Sequence, residues 1–175
     1  MSDFTHATGE VAQRFQRRSE WYETRRDGDL TIYRVHAISE RAVELFLRLS
    51  ARLEAVVDVA LEHPRDGRCW HATLRFLPDV RETLGRLRWL LATHGGVEIA
   101  LVTPEEQLTL TTALEVVIFT RSDRWPMWLE MEGVPPGIAE LLPVWNPAAV
   151  AWSPAPELSE ALEVVVERLA LQVGT

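Results

Sequence analysis

The longest strand-like pattern in the chain runs from Leu108 to Arg121, Leu-Thr-Leu-Thr-Thr-Ala-Leu-Glu-Val-Val-Ile-Phe-Thr-Arg. Period-2 counting puts Leu108, Leu110, Thr112, Leu114, Val116 and Ile118 on one side, and Thr109, Thr111, Ala113, Glu115, Val117 and Phe119 on the other. β-Branched and aromatic residues dominate, and neither Gly nor Pro interrupts. The stretch reads as one long central strand, bending near Thr112–Ala113, where the side chains are smallest. Upstream, Asp27-Gly28 separates two strand-like runs, Glu20–Arg26 and Asp29–His36, and predicts a type I′ hairpin. A two-residue loop there pairs Arg26 with Asp29, Thr24 with Thr31, Tyr22 with Tyr33 and Trp21 with Arg34. The competing pattern is a helix carried on to Arg26 and stopped by Gly28.

Helical periodicity appears in four places. Val11, Phe15 and Arg18 mark a helix from Gly9 to about Ser19, after a disordered stretch at 1–8. Ala42, Leu45, Phe46, Leu49, Leu53, Val56, Val57 and Ala60 form a wide apolar stripe over 40–62, capped by Ser39 and ended by His63-Pro64. Asp79 and Glu82 have capping-box spacing before a helix with the stripe Val80, Leu84, Leu87 and Leu91, stopped at Gly95-Gly96. Pro154 and Pro156 open a last helix carrying Leu158, Leu162, Val165 and Leu169.

Between them, Cys69–Leu77 alternates, with Trp70, Ala72, Leu74 and Phe76 facing one way and His71, Thr73 and Arg75 the other. Val97–Thr103 and Met127–Glu132 read as further strands, and Pro104–Gln107 as a hairpin loop. Residues 126–156 carry seven of the ten prolines, with Trp125, Trp128, Trp145 and Trp152 in or beside them. They read as a crossing segment with one short helix near Ile138–Leu142. The order α-ββ-α-β-α-βββ-α contains two β-α-β passages followed by an antiparallel run. It predicts a single α+β domain over 1–175: a mixed, largely antiparallel sheet of about six strands, helices mainly on one face, and a C-terminal helix.

Composition narrows the function classes. The net charge is −8, and all 18 basic residues are Arg, which removes Schiff-base lysine chemistry and a phosphate-loop lysine. By segment the net charge is 0 over 1–36 (six Arg, six acids), −2 over 37–124 (eleven Arg, thirteen acids) and −6 over 125–175 (one Arg, seven acids). Such acidity speaks against duplex-DNA binding and suits a basic protein partner. One cysteine, no apolar run of membrane-spanning length and no signal-peptide pattern at the start lead to the expectation of a cytoplasmic protein with no membrane association.

Candidate chemistry is sparse. Trp70-His71-Ala72-Thr73-Leu74-Arg75-Phe76-Leu77 resembles the His-x-Thr strand of the two-histidine phosphodiesterases that act on RNA cyclic phosphates. The resemblance implies a general acid/base at His71 and a phosphate-binding hydroxyl at Thr73. That chemistry needs two such motifs, one imidazole to activate the nucleophile and one to protonate the leaving oxygen, and the chain supplies one. Scattered histidines offer no metal site, and no cofactor is expected.

On the N-terminal hairpin, Trp21, Arg25, Arg26 and Tyr33 combine stacking and cationic groups that suit single-stranded nucleic acid, but acids in the same segment cancel its charge. Trp125, Trp128 and Trp145 could line a partner groove, lid a ligand pocket or cover the open sheet face. Trp89 points about 180° away from its helix's apolar stripe, with Gly85 one turn before it, and is read as a contact residue for self-association. The resulting expectation is a non-enzymatic protein-binding module, homo-oligomeric, in an adaptor, secretion-chaperone-like or toxin-neutralising role. The alternatives are a degenerate cyclic-phosphate phosphodiesterase and a single-stranded nucleic-acid binder.

Overall fold

The computed structural model describes residues 20–64, 67–137 and 155–174. The elements are β1 (Trp21–Asp27), β2 (Leu30–His36), α1 (Ser39–Ser50), β3 (Val56–His63), β4 (Arg68–Phe76), α2 (Leu77–Arg86), α3 (Arg88–His94), β5 (Glu98–Val102), β6 (Glu106–Leu110), β7 (Val116–Thr120), α4 (Trp125–Met131), α5 (Pro156–Arg168) and β8 (Gln172–Val173). The strands form one sheet in the order β1-β2-β7-β6-β5-β3-β4-β8, and every neighbouring pair is antiparallel. The chain is α+β with a C-terminal helix, and among the described residues its sheet has eight strands where about six were expected. No adjacent pair is parallel, because neither crossover returns beside its own strand. β2 and β3 are separated by β7, β6 and β5, and β5 pairs with β3 and β6.

The registers align apolar residues into rows that cross six strands. One row runs Val35, Val116, Leu110, Ile99, Leu61, Trp70, and the next Tyr33, Ile118, Leu108, Leu101, Val59, Ala72. All twelve are buried, and they share one core with Leu45, Phe46 and Leu49 of α1, Val80 and Leu84 of α2, Leu91 of α3, Trp125 and Leu129 of α4, and Leu158, Leu162 and Val165 of α5. The helices therefore cover this face. Alternation along each strand sends the intervening residues to the opposite face, among them Arg34, Val117, Thr109, Ala100, Ala60 and His71. Val117 and Ala100 are buried there without belonging to the helix-packed core.

Several sequence expectations are corrected. Leu108–Arg121 is two strands, not one: Leu110 pairs with Val116, and the chain reverses through 111–115. Thr111 closes this turn. Its N–H donates to the Glu115 carbonyl at 2.9 Å, its Oγ1 accepts the Glu115 N–H at 3.1 Å, and Leu114 takes φ 57°. The expected bend is a full hairpin with no Gly, because side-chain hydrogen bonds and bonds from distant residues of the same chain hold it. One is the Gly96 N–H to the Thr112 carbonyl at 3.0 Å.

The N-terminal hairpin exists, but its register is shifted by two residues: Asp27 pairs with Leu30 and Trp21 with His36. The turn residues are Gly28 and Asp29. Gly28 has φ 62° and Asp29 has no positive φ, which is the type II′ pattern and not I′. An even shift preserves every facing, so Tyr22 and Tyr33 still lie on one side.

The helix expected over 40–62 ends at Ser50, and Ser39 is its first residue with no side-chain cap. Its last turn tightens. The N–H groups of Ala51, Arg52 and Leu53 reach back three residues, and the Ser50 hydroxyl donates to the Leu47 carbonyl at 2.8 Å. Val56-Val57-Asp58-Val59 then forms β3, where β-branched side chains fit the pleat between β5 and β4. The same apolar positions satisfied a helical period, so periodicity alone could not separate the two.

Asp79 lies inside the first turn of α2 and caps nothing, while Pro78 occupies that turn. The helix expected to run on to His94 breaks at Leu87, yet Val80, Leu84, Leu87 and Leu91 are all buried as the stripe required. Met127–Glu132 is not a strand. α4 buries Trp125 and Leu129, four residues apart, and exposes Met127 and Met131. Ile138–Leu142, Trp145, Trp152 and the helix over 9–19 lie outside the described residues.

Both sheet edges are partly covered. At β1, the Tyr22 N–H donates to the Pro135 carbonyl and the Gly137 N–H to the Tyr22 carbonyl, at 3.0 and 2.9 Å. At the other edge β8 covers only Trp70 and His71. Beyond it β4 bulges at Leu74, whose φ is 54° and whose N–H turns to Asp58 Oδ1 at 2.8 Å. The bulge ends the expected alternation and leaves Leu74 and Phe76 exposed. Among the described residues no helix is long and apolar enough to cross a membrane.

Candidate functional site

Three places in the fold bring chemistry-bearing or contact-forming residues together. The first is the outer surface of the helix layer. α2 and α3 turn their apolar stripe to the sheet, so the residues half a turn away face outward. Trp89 is 69% exposed there. Gly85 is exposed too, and a methyl group added to it would meet no atom within 4 Å. Among the described residues nothing packs closely against Gly85. α3 packs against α5, whose outer face presents Val164 at 59% exposure. Glu82 ties α2 to α5, accepting from Arg86 of its own helix at 2.7 Å and from Arg168 of α5 at 3.4 Å.

The second is the end of the sheet where the β1–β2, β5–β6 and β7–α4 connections meet. Two open clefts flank Arg121–Asp123. One, about 550 Å³, is lined by Arg52, Glu54, Glu105, Glu106, Arg124 and Trp128 among others. The other, about 300 Å³, is lined by Arg26, Asp29 and Tyr33 among others. Glu106 is the fixed point of the larger cleft. Its Oε1 accepts from the indole Nε1 of fully buried Trp125 at 2.7 Å and from Thr120 Oγ1 at 2.9 Å. Trp128 packs edge-on against Trp125 and carries the Arg52 guanidinium 5.9 Å from its ring centroid. Arg121 donates to Asp29 at 2.7 Å, and that hydrogen bond and charge hold the Asp29 carboxyl below its ordinary value. The carboxylates and guanidiniums of both clefts thus largely compensate one another.

The third is the sheet face opposite the helices. His36 is buried beneath Trp21, whose ring stacks on it at 4.2 Å. Its Nδ1 lies 3.1 Å from Glu115 Oε1 and its Nε2 lies 3.7 Å from Glu23 Oε1, neither contact being aligned as a hydrogen bond. Gly137 seals Trp21 from above, since a Cβ there would sit 2.8 Å from the indole. Further along the same face Glu98 opposes Glu62, and burial, then the Glu62 charge, push the Glu98 carboxyl above its ordinary value. Among the described residues no group of three or more His, Cys, Asp or Glu side chains is placed to hold a metal ion.

The residues singled out by sequence are scattered. His71 and Thr73 are exposed near one edge of the sheet. His36, the other histidine on this face, is five strands away, roughly 24 Å at the usual strand spacing, too far to act on one bond with His71. Tyr33 is on the core face, where burial raises its phenol pKa, and Trp21 is held between His36 and Gly137. Arg25 and Arg26 are exposed, but the hairpin offers no open aromatic ring beside them for a base to stack on. Trp125 belongs to the core, Trp128 is half-buried at the cleft, and among the described tryptophans only Trp89 presents most of its surface.

Sequence reading missed Glu106 and the His36 cluster. The hairpin register alone would have placed His36 opposite Trp21. No family model, curated protein or solved structure matches the chain.

Proposed function

We propose that the chain is a non-enzymatic, cytoplasmic protein-binding module that self-associates and uses the outer face of α2–α3 as its contact surface. Adaptor, secretion-chaperone-like and toxin-neutralising roles all need such a surface. One observation carries the reading: Trp89 is 69% exposed on a helix whose apolar stripe is already fully used against the sheet. A tryptophan held in water forgoes the gain of burying ~150–250 Å², and large aromatic anchors are the side chains that dominate protein interfaces. The acidic last third of the chain adds a surface suited to basic partners.

Hydroxyl-radical footprinting tests the proposal. In the dilute purified chain Trp89 should oxidise rapidly. In lysate of the native host at physiological concentration its oxidation should fall several-fold, while exposed Leu74 serves as an unprotected reference. Equal Trp89 oxidation in both conditions would refute the assignment.

A further inference from the structure

We infer that the partner seated on Trp89 is a second copy of this chain, docked about a two-fold axis with α3 of each protomer crossing α5 of the other. This rests on the reading of Trp89 as a contact residue and adds the identity and register of the occupant.

α3 presents Trp89 beside Arg88, which forms no ion pair among the described residues. α5, packed next to α3, presents Val164 with Glu160 one turn before it and Glu167 one turn after. Both carboxylates are exposed and form no ion pair among the described residues. One helix therefore offers an apolar anchor with an unpaired cation, and its neighbour an apolar anchor with unpaired anions.

Such a face is complementary to itself only when crossed. α5 on α5 would oppose carboxylates to carboxylates, and α3 on α3 would oppose Arg88 to Arg88, both repulsive. α3 on α5 puts Trp89 against Val164 and Arg88 against Glu160 and Glu167. Two-fold symmetry makes that contact twice, as an isologous interface does. Open space at Gly85, one turn from Trp89, lets the partner helix approach closely. The sheet edges compete less, since β1 is covered at Tyr22 and β4 is covered by β8 and interrupted by the bulge at Leu74.

The experiment is light scattering of the full chain at about 50 µM, in 50 mM and 500 mM salt, with thermal melts to establish folding. Wild type should have twice the chain mass at low salt and a lower mean mass at high salt. Arg88→Glu should be monomeric and fully folded, and so should Glu160→Arg combined with Glu167→Arg. Joining all three substitutions should restore the dimer. A monomeric wild type at both salts would overturn the inference while leaving the footprint of Trp89 by another protein to be scored separately. A dimer indifferent to Arg88→Glu, or a triple variant that stays monomeric, would also overturn it. If Arg88→Glu fails to fold, the acidic-face pair is sufficient on its own: a folded monomer supports the inference, and a dimer overturns it.

Discussion

Trp125 and Glu106 lock α4 onto the β5–β6 hairpin, and Trp125→Phe measures that lock. The indole is fully buried and its Nε1 lies 2.7 Å from Glu106 Oε1. Replacing it by phenyl removes a hydrogen bond to a charged acceptor, generally about 1.5–3 kcal/mol. It also leaves a deficit of about 40 Å³, which at the usual cavity cost adds roughly 1 kcal/mol. Glu106 is half-buried and keeps the Thr120 hydroxyl at 2.9 Å, so the lower half of the range applies. The expected loss is about 2.5–3.2 kcal/mol, which for a chain of this size lowers the melting midpoint by roughly 5–13 °C. Urea titrations of wild type, Trp125→Phe, Thr120→Val and the double variant supply the numbers. The two donors share one oxygen, so the double variant should cost less or more than the sum, not the sum itself. A loss of about 1 kcal/mol or less, the cavity cost alone, would refute the lock, leaving α4 held by apolar packing.

Three further outcomes are expected. Leu74 takes φ 54° with 78% of its surface exposed, so Leu74→Gly should relieve left-handed strain at little loss of burial and stabilise by up to about 1 kcal/mol; a lower urea midpoint would contradict the strain. Gly85→Ala adds a methyl into space left open within one chain and, in dilute monomer, should raise the urea midpoint, by up to about 1 kcal/mol; a fall would mean the position is packed within the chain. Glu98 has its folded carboxyl pKa raised by burial and by Glu62, so the folded state holds that proton more tightly than the unfolded chain does. Stability should therefore decline as pH rises from the ordinary carboxyl value of 4.5 through the raised folded value, and Glu98→Gln should flatten that decline; an unchanged pH profile would remove Glu98 as its source.

The legibility of the fold followed from how many constraints acted on each segment. α5 and the α2–α3 stripe were readable because Leu158, Leu162 and Val165, like Val80, Leu84 and Leu87, had one apolar face and polar residues elsewhere. β3 was not, because Val56, Val57 and Ala60 fit a helical and a strand period equally well, and the neighbours β4 and β5 decided between them. The split of β6 from β7 depended on Thr111 bonding across its own turn and on Gly96, from well before it in the chain, bonding to Thr112. The exposure of Trp89 followed from helical counting alone, whereas the Glu106 hub joins residues from three elements and left no local trace.

The central claim is that the outer face of α2–α3 is a recognition surface and not merely uncovered helix. The most direct test replaces Trp89 by a photo-crosslinking phenylalanine analogue in the chain expressed in its own host, with the analogue at Thr73 as a control on the distant sheet face. Irradiation is expected to give a discrete covalent protein adduct from position 89, at twice the chain mass if the occupant is a second copy, and none from position 73. No adduct from position 89, or equal adducts from both positions, would contradict it.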